Sequence, residues 1–191
     1  MEPLVRPLGA SEAVVAARAE GLREAFGSMN LFRMSLRQPN LAQLWANVVE
    51  QLVVGGRLDA RLRELVILRA VWVGRGEYEW SNHYPFARSL GMTDAEIVAV
   101  RDWRGADAVL SADDRLVLEA ADTLLDGRTL DADRVARLHE VVGGDGPLME
   151  LLALPGIYQT LALFTGTLHV ALDEGRSPWE PDGVMPPARE P

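Results

Sequence analysis

The 191-residue chain contains no cysteine. This absence excludes disulfide bonds, thiol nucleophiles, thiolate metal sites and the redox chemistry of a Cys-x-x-Cys pair. Histidine is scarce as well, and the three present, His83, His139 and His169, lie far apart in the sequence. Because metal sites usually combine several ligands at short spacings, the sequence predicts no metal site.

Clustered positive charge is also missing. The formal net charge is −9 and the isoelectric point is about 4.8, with the cationic residues scattered among acidic ones. Nucleic-acid binding requires basic side chains that neutralise phosphates, so we expect no nucleic-acid partner. The N-terminal residues lack the basic end and apolar core of a signal peptide, and we therefore expect a cytoplasmic protein.

Residues 151–172 include no Asp, Glu, Lys or Arg and have about the length of a membrane span. We expect no membrane association, because Pro155 and Gly156 should break the helix early and the segment holds too many polar side chains for a lipid-facing helix. The polar residues are Gln159, Thr160, Thr165, Thr167 and His169. A charge-free helix in a soluble protein lies either at the centre of a bundle or across a subunit interface, and both remain open here.

Helix signals dominate the chain, and no strand-like alternation of useful length is present. Capping residues and glycines predict helices over 11–26, 39–54, 59–73, 111–125 and 131–142, a capping box at 93–96, and a last helix after loop 143–147. A further helix carries Glu79 and His83 and ends at Gly91. The sequence predicts one all-α domain over residues 1–176, followed by an extended proline-rich tail over residues 177–191.

Glu79 and His83 are the most informative residues of the chain. Their four-residue spacing places both side chains on one face of a helix, where a carboxylate and an imidazole can share a proton. Glu64 precedes them in an apolar helical run, which is an unusual position for an acid. On the residues alone, the preferred interpretation is that Glu64 pairs with Arg61 or Arg57 on the helix surface.

Several segments resemble the carboxymuconolactone decarboxylase-like family, whose members share the AhpD-like all-helical fold. The segments are RLRELVILR at 61–69, YEW at 78–80 with His83, Ala87 and Gly91 with 94–97, NLFR at 30–33, PNL at 39–41 and GIY at 156–158. In the peroxidase-reductase branch of this family a Cys-x-x-Cys-x-x-x-His motif carries the redox function. In this chain Gly76 and Glu79 stand where the two cysteines would be, so disulfide reduction is excluded.

The Tyr-Glu-Trp-x-x-His motif at residues 78–83 resembles that of the decarboxylase branch, whose reference reaction removes carbon dioxide from 4-carboxymuconolactone without a metal or an organic cofactor. The resemblance matches His83 to the family's histidine and Glu64 to its upstream acid. Loss of carbon dioxide leaves an enolate, which needs stabilisation at oxygen and an acid to protonate carbon. We expect His83 to be that general acid/base, with Glu79 and Glu64 orienting it or relaying protons.

Four further residues are candidates for substrate binding. Arg33 and Arg69 could each bind a substrate carboxylate through two hydrogen bonds, although solvated surface arginines would look the same in sequence. Trp80 could form a wall of the pocket or pack in the core, and His169 is a second candidate for the pocket.

The sequence thus predicts a cofactor-independent lyase acting on a small carboxylated or lactone-like substrate. An isomerase or hydrolase that uses the same residues, and a non-catalytic small-ligand-binding or assembly protein, remain as alternatives. The family resemblance together with the apolar 151–172 segment implies a homo-oligomer, either a trimer or a hexamer.

Overall fold

A computed structural model describes residues 5–188, and every regular element among them is helical. The α-helices of this part of the chain are α1 (Ala10–Ala19), α2 (Asn30–Ser35), α3 (Pro39–Val48), α4 (Ala60–Gly74), α5 (Glu77–Ser89), α6 (Asp94–Ala99), α7 (Ala112–Leu125), α8 (Ala132–Val142) and α9 (Asp145–Thr167). Two 3-10 segments, Glu24–Ser28 and Val100–Gly105, and a π-helical segment, Val49–Val54, connect or extend them. The predicted all-α fold is confirmed.

Helix α4 lies at the centre of the fold and packs against α5, α7 and α9. Four successive apolar residues on it, Leu65, Val66, Ile67 and Leu68, have no exposed surface. When all faces of a helix are buried, a polar side chain on that part of the helix cannot reach solvent. Glu64, which precedes these residues and is also fully buried, must therefore find its partners within the protein.

Side-chain caps confirm four of the predicted helix starts. The Asp59 carboxylate accepts hydrogen bonds from two backbone N–H groups at the start of α4. Thr93 and Ser111 each form a capping box, at α6 and α7, and Asp131 accepts a hydrogen bond at the start of α8. Such caps satisfy N–H groups that have no partner within the helix, which is why these boundaries can be predicted from local sequence.

Two predicted helix boundaries were wrong. The first helix ends at Ala19 rather than near residue 26, because Gly21 adopts a left-handed conformation with φ of +70° and stops it. The expected break at Pro155 does not occur, and α9 continues through this buried proline to Thr167. A proline removes one backbone hydrogen bond, but α9 packs against α4, α5, α7 and α8, and that packing outweighs the loss.

The C-terminal segment (residues 177–188) forms turns over residues 178–183 and lies against the helical body, so it is not the extended tail that the sequence predicts. Trp179 is buried, and its ring centroid lies 5.8 Å from that of Trp72 and 5.9 Å from that of Trp80. The indole N–H of Trp80 donates to the carbonyl of Glu180 at 2.8 Å. Residues 1–4 and 189–191, which the predicted domain and tail include, lie outside the described part of the chain.

Among residues 5–188, α9 has the length and apolar composition of a membrane span. Core helices of soluble proteins pass the same test, and α9 packs against four other helices. We interpret α9 as a core helix with one side left exposed.

Candidate functional site

The candidate site is centred on a hydrogen bond between α4 and α5. Nδ1 of His83 lies 2.7 Å from Oε2 of Glu64, which has no exposed surface. An ionised Glu64 accepts the proton of Nδ1, which fixes the tautomer and leaves Nε2 as the basic nitrogen of a neutral imidazole. The pair therefore has the arrangement in which a carboxylate orients a histidine that exchanges protons with a substrate.

Arg63 supplies positive charge beside this pair. Its Nε lies 3.4 Å from Oε1 of Glu64, and the guanidinium is itself buried, with its carbon 5.8 Å from the ring centroid of Phe86. This contact gives the buried Glu64 carboxylate a second charged partner besides His83. The surface alternative for Glu64 is not observed, because the Arg61 guanidinium bonds to Asp114 and Glu96 instead.

His83 lies at the edge of an open cleft of about 380 Å³. Its apolar walls are formed by Met29, Val53, Pro85 and Phe86, and its polar lining by Asn82, His83, Ser89 and Arg176. The cleft is of a size that suits a small molecule. A ligand in it could reach His83, while Glu64 remains shielded behind the imidazole.

Tyr158 of α9 closes the inner side of the site. Its ring meets the imidazole of His83 edge to face, with centroids 5.0 Å apart. Burial, together with the negative charges of Glu64 and Glu79, raises the pKa of the Tyr158 hydroxyl well above its usual range. Tyr158 therefore stays neutral and acts as a rigid wall that holds the imidazole in place.

Glu79 does not bond to His83, although the two residues are one turn apart. Both of its carboxyl oxygens instead lie close to Oγ1 of Thr165 on α9, at 2.9 and 3.0 Å. Burial raises the pKa of Glu79 to about 7, against the opposing effects of the Thr165 hydrogen bond and the nearby His83. Glu79 is thus an acid that can still carry its proton near neutral pH.

The hydrogen bonds around Thr165 are consistent with a protonated Glu79. Oγ1 of Thr165 also lies 3.0 Å from the carbonyl oxygen of Leu161, yet a hydroxyl has only one proton to donate. When Glu79 is protonated, its O–H can donate to Thr165, and the Thr165 hydroxyl can then donate to the Leu161 carbonyl. The Glu79 O–H, the Thr165 hydroxyl and the Leu161 carbonyl then form one continuous hydrogen-bonded chain.

The structure places both candidate arginines outside the His83 cleft. The Arg69 guanidinium forms two hydrogen bonds to Asp122, at 2.5 and 3.1 Å, and donates to two backbone carbonyls. Arg33 donates to the carbonyl of Leu8 and to the side chain of Asn30. Both guanidinium groups are therefore engaged by the protein itself.

The other two candidates also lie away from the cleft. Trp80 has no exposed surface and packs between Trp72 and Trp179. His169 lines a different cleft of about 330 Å³, which it shares with Thr165. His83 does not line that cleft.

Sequence reasoning assigned no role to Arg63, Tyr158, Thr165 or Arg176. Arg63 is adjacent to Glu64 in the sequence, and this neighbour could have been noticed. The other three residues come from α9 and the loop after it, far from His83 in the sequence, so no local spacing connects them to the site. Within residues 5–188, no group of three His, Asp or Glu side chains is arranged to hold a metal ion.

Residues 39–122 match the model of the carboxymuconolactone decarboxylase family. The chain is similar to this family over that segment, which is 84 of its 191 residues. The match includes Glu64, Glu79 and His83 and ends at Asp122 of α7, so it does not extend to the α9 residues of the site. No curated protein sequence matches the chain significantly.

Two solved structures share the fold of this chain at low sequence identity. One is a cysteine-to-alanine variant of the debrominase Bmp8 in complex with 2,3,4-tribromopyrrole, with a TM-score of 0.68, 15% identity and coverage of 91% of this chain and 94% of that one. The other is an uncharacterised peroxidase-related protein from Silicibacter sp. TM1040, with a TM-score of 0.65, 13% identity and coverage of 90% and 92%. At these identities the likeness establishes the fold alone.

Gly76, at the start of α5, is closely packed against α9. A side-chain carbon on Gly76 would lie 2.7 Å from the methyl carbon of Ala162 and 2.7 Å from an oxygen of Glu79. Gly76 thus allows α5 and α9 to approach closely, and a larger residue would not fit without a shift. The fold and the Glu64–His83 pair support an enzymatic site, whereas the particular reaction requires a separate argument.

Proposed function

We propose that the chain is a cofactor-independent lyase, similar to 4-carboxymuconolactone decarboxylase, which acts on a small carboxylated or lactone-like substrate. The observation that carries the proposal is the 2.7 Å contact between Nδ1 of His83 and the buried carboxylate of Glu64 at the edge of an open cleft. This arrangement prepares one ring nitrogen for proton exchange with a bound molecule. The absence of cysteine removes the competing thiol chemistry of the fold.

The proposed reaction proceeds through an enolate. The bond between carbon and the leaving carboxylate breaks, carbon dioxide departs, and the electron pair enters the conjugated lactone as an enolate. Protonated His83 then donates its Nε2 proton to carbon, and the imidazole takes up a proton from solvent to complete the cycle. Glu64 stabilises the imidazolium while it exists, and the Arg63 guanidinium lies beside the Glu64 carboxylate.

Carbon dioxide release from 4-carboxymuconolactone tests the proposal. Wild-type protein should catalyse the release, and His83→Gln should reduce kcat by about a hundredfold or more, since this substitution removes proton transfer while preserving most of the side-chain volume. His139→Gln is the matched control, because His139 is on α8 and bonds to Asp145 at the surface. Undiminished turnover in a folded His83→Gln protein would remove His83 from the mechanism.

The same pair of residues also suits an isomerase or a hydrolase. A neutral imidazole oriented by a carboxylate is a general base for proton abstraction or for activation of water. Product analysis distinguishes the reactions, because only the lyase yields carbon dioxide in proportion to substrate consumed. If wild-type protein binds such molecules but leaves them unchanged, the non-catalytic binding role is favoured.

A further inference from the structure

Arg176 is a cationic side chain in the His83 cleft that sequence reasoning did not select. It lines the His83 cleft and also an adjoining cleft of about 390 Å³, and Met29 and Asn82 are common to both. Within residues 5–188 we find no carboxylate paired with its guanidinium. In a chain of net charge −9, a guanidinium without a carboxylate partner beside a cleft can bind an anion from outside.

Two acidic residues, Asp173 and Glu174, precede Arg176 and line the adjoining cleft with it. Glu174 is exposed and forms no ion pair with Arg176, and the Asp173 carboxylate is already engaged by other groups. Oδ1 of Asp173 accepts a hydrogen bond from the backbone N–H of Asn30 at 2.7 Å, and Oδ2 accepts from the Tyr78 hydroxyl at 2.7 Å and from the Asn82 amide at 3.3 Å. Both oxygens thus have partners on α2 and α5. Asp173 therefore fixes the loop to the body of the protein and does not neutralise Arg176.

The backbone of this loop determines where Arg176 lies. The Arg176 N–H donates to the carbonyl of Asp173, and Gly175 between them adopts φ of +76°, a conformation that glycine accepts readily. The side chain of Asn30 donates to two further carbonyls of the loop, those of Ala171 and Leu172. A loop held at so many points places the Arg176 backbone at a defined position beside the cleft.

The lining of the cleft indicates the chemical class of its ligand. Arg176 offers a planar pair of N–H donors that suits a carboxylate, and the Asn82 amide adds polar surface next to it. Met29, Val53 and Phe86 provide apolar surface for the body of the molecule. A compact molecule with an apolar or ring-shaped body and one carboxylate would satisfy both parts of the cleft.

We propose that Arg176 binds a carboxylate of the ligand in the His83 cleft and thereby orients the rest of the molecule towards the imidazole. The location of this site rests on the proposed function, but anion binding by Arg176 requires no turnover. Arg176 replaces Arg33 and Arg69 as the substrate-binding arginine, because those two are engaged by Asn30 and Asp122.

Binding of benzoate, with benzamide as its neutral counterpart, tests this assignment at constant ionic strength. In titrations followed by ¹H–¹⁵N NMR, benzoate should shift the signals of Asn82 and His83 and bind at least about tenfold more tightly than benzamide. Arg176→Gln should reduce benzoate affinity to that of benzamide, and Arg176→Lys should give an intermediate value because it retains charge but loses the two-pronged geometry.

Two control variants separate this proposal from the proposed function. Arg137→Gln removes the same charge from an exposed position on α8 and should leave benzoate binding unchanged. His83→Gln should still bind benzoate, so a failure of catalysis leaves the Arg176 assignment standing. Equal benzoate affinity in wild type and folded Arg176→Gln, or no benzoate binding by wild type at all, would overturn the assignment.

Discussion

At the scale of single residues, Glu79 shows how burial changes the chemistry of a carboxyl group. It is in the first turn of α5, where the helix dipole favours negative charge, yet its side chain is almost completely buried between α5 and α9. Loss of hydration is the larger effect and raises its pKa to about 7. A group with such a pKa can act as an acid at the pH where an unperturbed glutamate cannot.

The raised pKa of Glu79 also makes stability depend on pH. In the unfolded chain the pKa is near 4.5, so between about pH 4.5 and 7 the folded state binds more protons and the contribution of Glu79 to stability falls as pH rises. We expect Glu79→Gln to abolish this dependence, and the wild type to lose up to about 3 kcal/mol relative to the variant between pH 4.5 and 8. Urea unfolding of both proteins across this range measures the difference.

Glu77→Gln is the matched control for this measurement. Glu77 is in the same turn of α5 but is exposed, so its removal should not alter the pH dependence of unfolding. A wild-type curve parallel to that of Glu79→Gln would mean that Glu79 is already ionised in the folded protein at low pH.

The sequence indicated the principal residues of the site but not all of their partners. The (i, i+4) spacing of Glu79 and His83 placed them on one side of α5, yet His83 bonds to Glu64 of α4 and Glu79 bonds to Thr165 of α9. Local spacing determines which face of a helix a side chain occupies. Which neighbouring helix packs against that face depends on the tertiary fold, and spacing within α5 carries no information about it.

At the scale of helices, Gly76 determines how closely α5 and α9 approach. A methyl group there would meet Ala162 and Glu79 at 2.7 Å, closer than carbon atoms in contact can lie. We expect Gly76→Ala to destabilise the protein by about 1–3 kcal/mol, because α5 must move away from α9 to make room. Chemical denaturation of the variant measures the change in the free energy of unfolding.

Gly105→Ala is a suitable control for the glycine substitution. An added methyl group at Gly105 would have no neighbour within 4 Å, and its backbone does not require a positive φ. We expect a change within about 0.5 kcal/mol for this variant. If the two variants were equally stable, α5 could move away from α9 at little cost in free energy, which would contradict the prediction.

Helix boundaries were predicted well where a polar cap determines them and poorly where packing does. Local hydrogen bonds cap three of these helices, through the side chains of Asp59, Thr93 and Ser111. Such bonds join residues close in sequence, so they do not depend on the rest of the fold. Pro155 was expected to end a helix, but its neighbours on four other helices keep α9 continuous. Tertiary packing outweighs the helix-breaking tendency of proline at this position, and the sequence around Pro155 does not reveal that packing.

At the scale of the whole molecule, the exposed side of α9 combines apolar and small residues. Met149 is 71% exposed and Leu163 is 54% exposed, and Ala153, Gly156 and Thr160 lie on the same side between them. Their spacing of three and four residues makes a continuous stripe along the helix. We propose that this stripe packs against another copy of the chain in a homo-oligomer, for which a trimer or a hexamer is the expectation from the family resemblance.

Leu163→Glu tests this proposal. A carboxylate in the middle of an apolar contact would have to be buried without a partner, so we expect the variant to dissociate into monomers. Val15→Glu serves as the control, since Val15 is 65% exposed on α1, away from α9, and its replacement should not alter the assembly. Light scattering at micromolar concentration gives the mass of each species. A monomeric wild type would contradict the proposal, and α9 would then serve only as a core helix of a single subunit.

The position of the C-terminal segment affects the order in which the protein can fold during synthesis. Trp80 bonds to the carbonyl of Glu180, a partner made 100 residues later, and Trp179 covers the rings of Trp72 and Trp80. Until residues 179 and 180 leave the ribosome, the nascent chain must leave these two indole rings uncovered or cover them with something else. The helix that carries His83 therefore obtains its final support only after nearly all of the described chain has been translated.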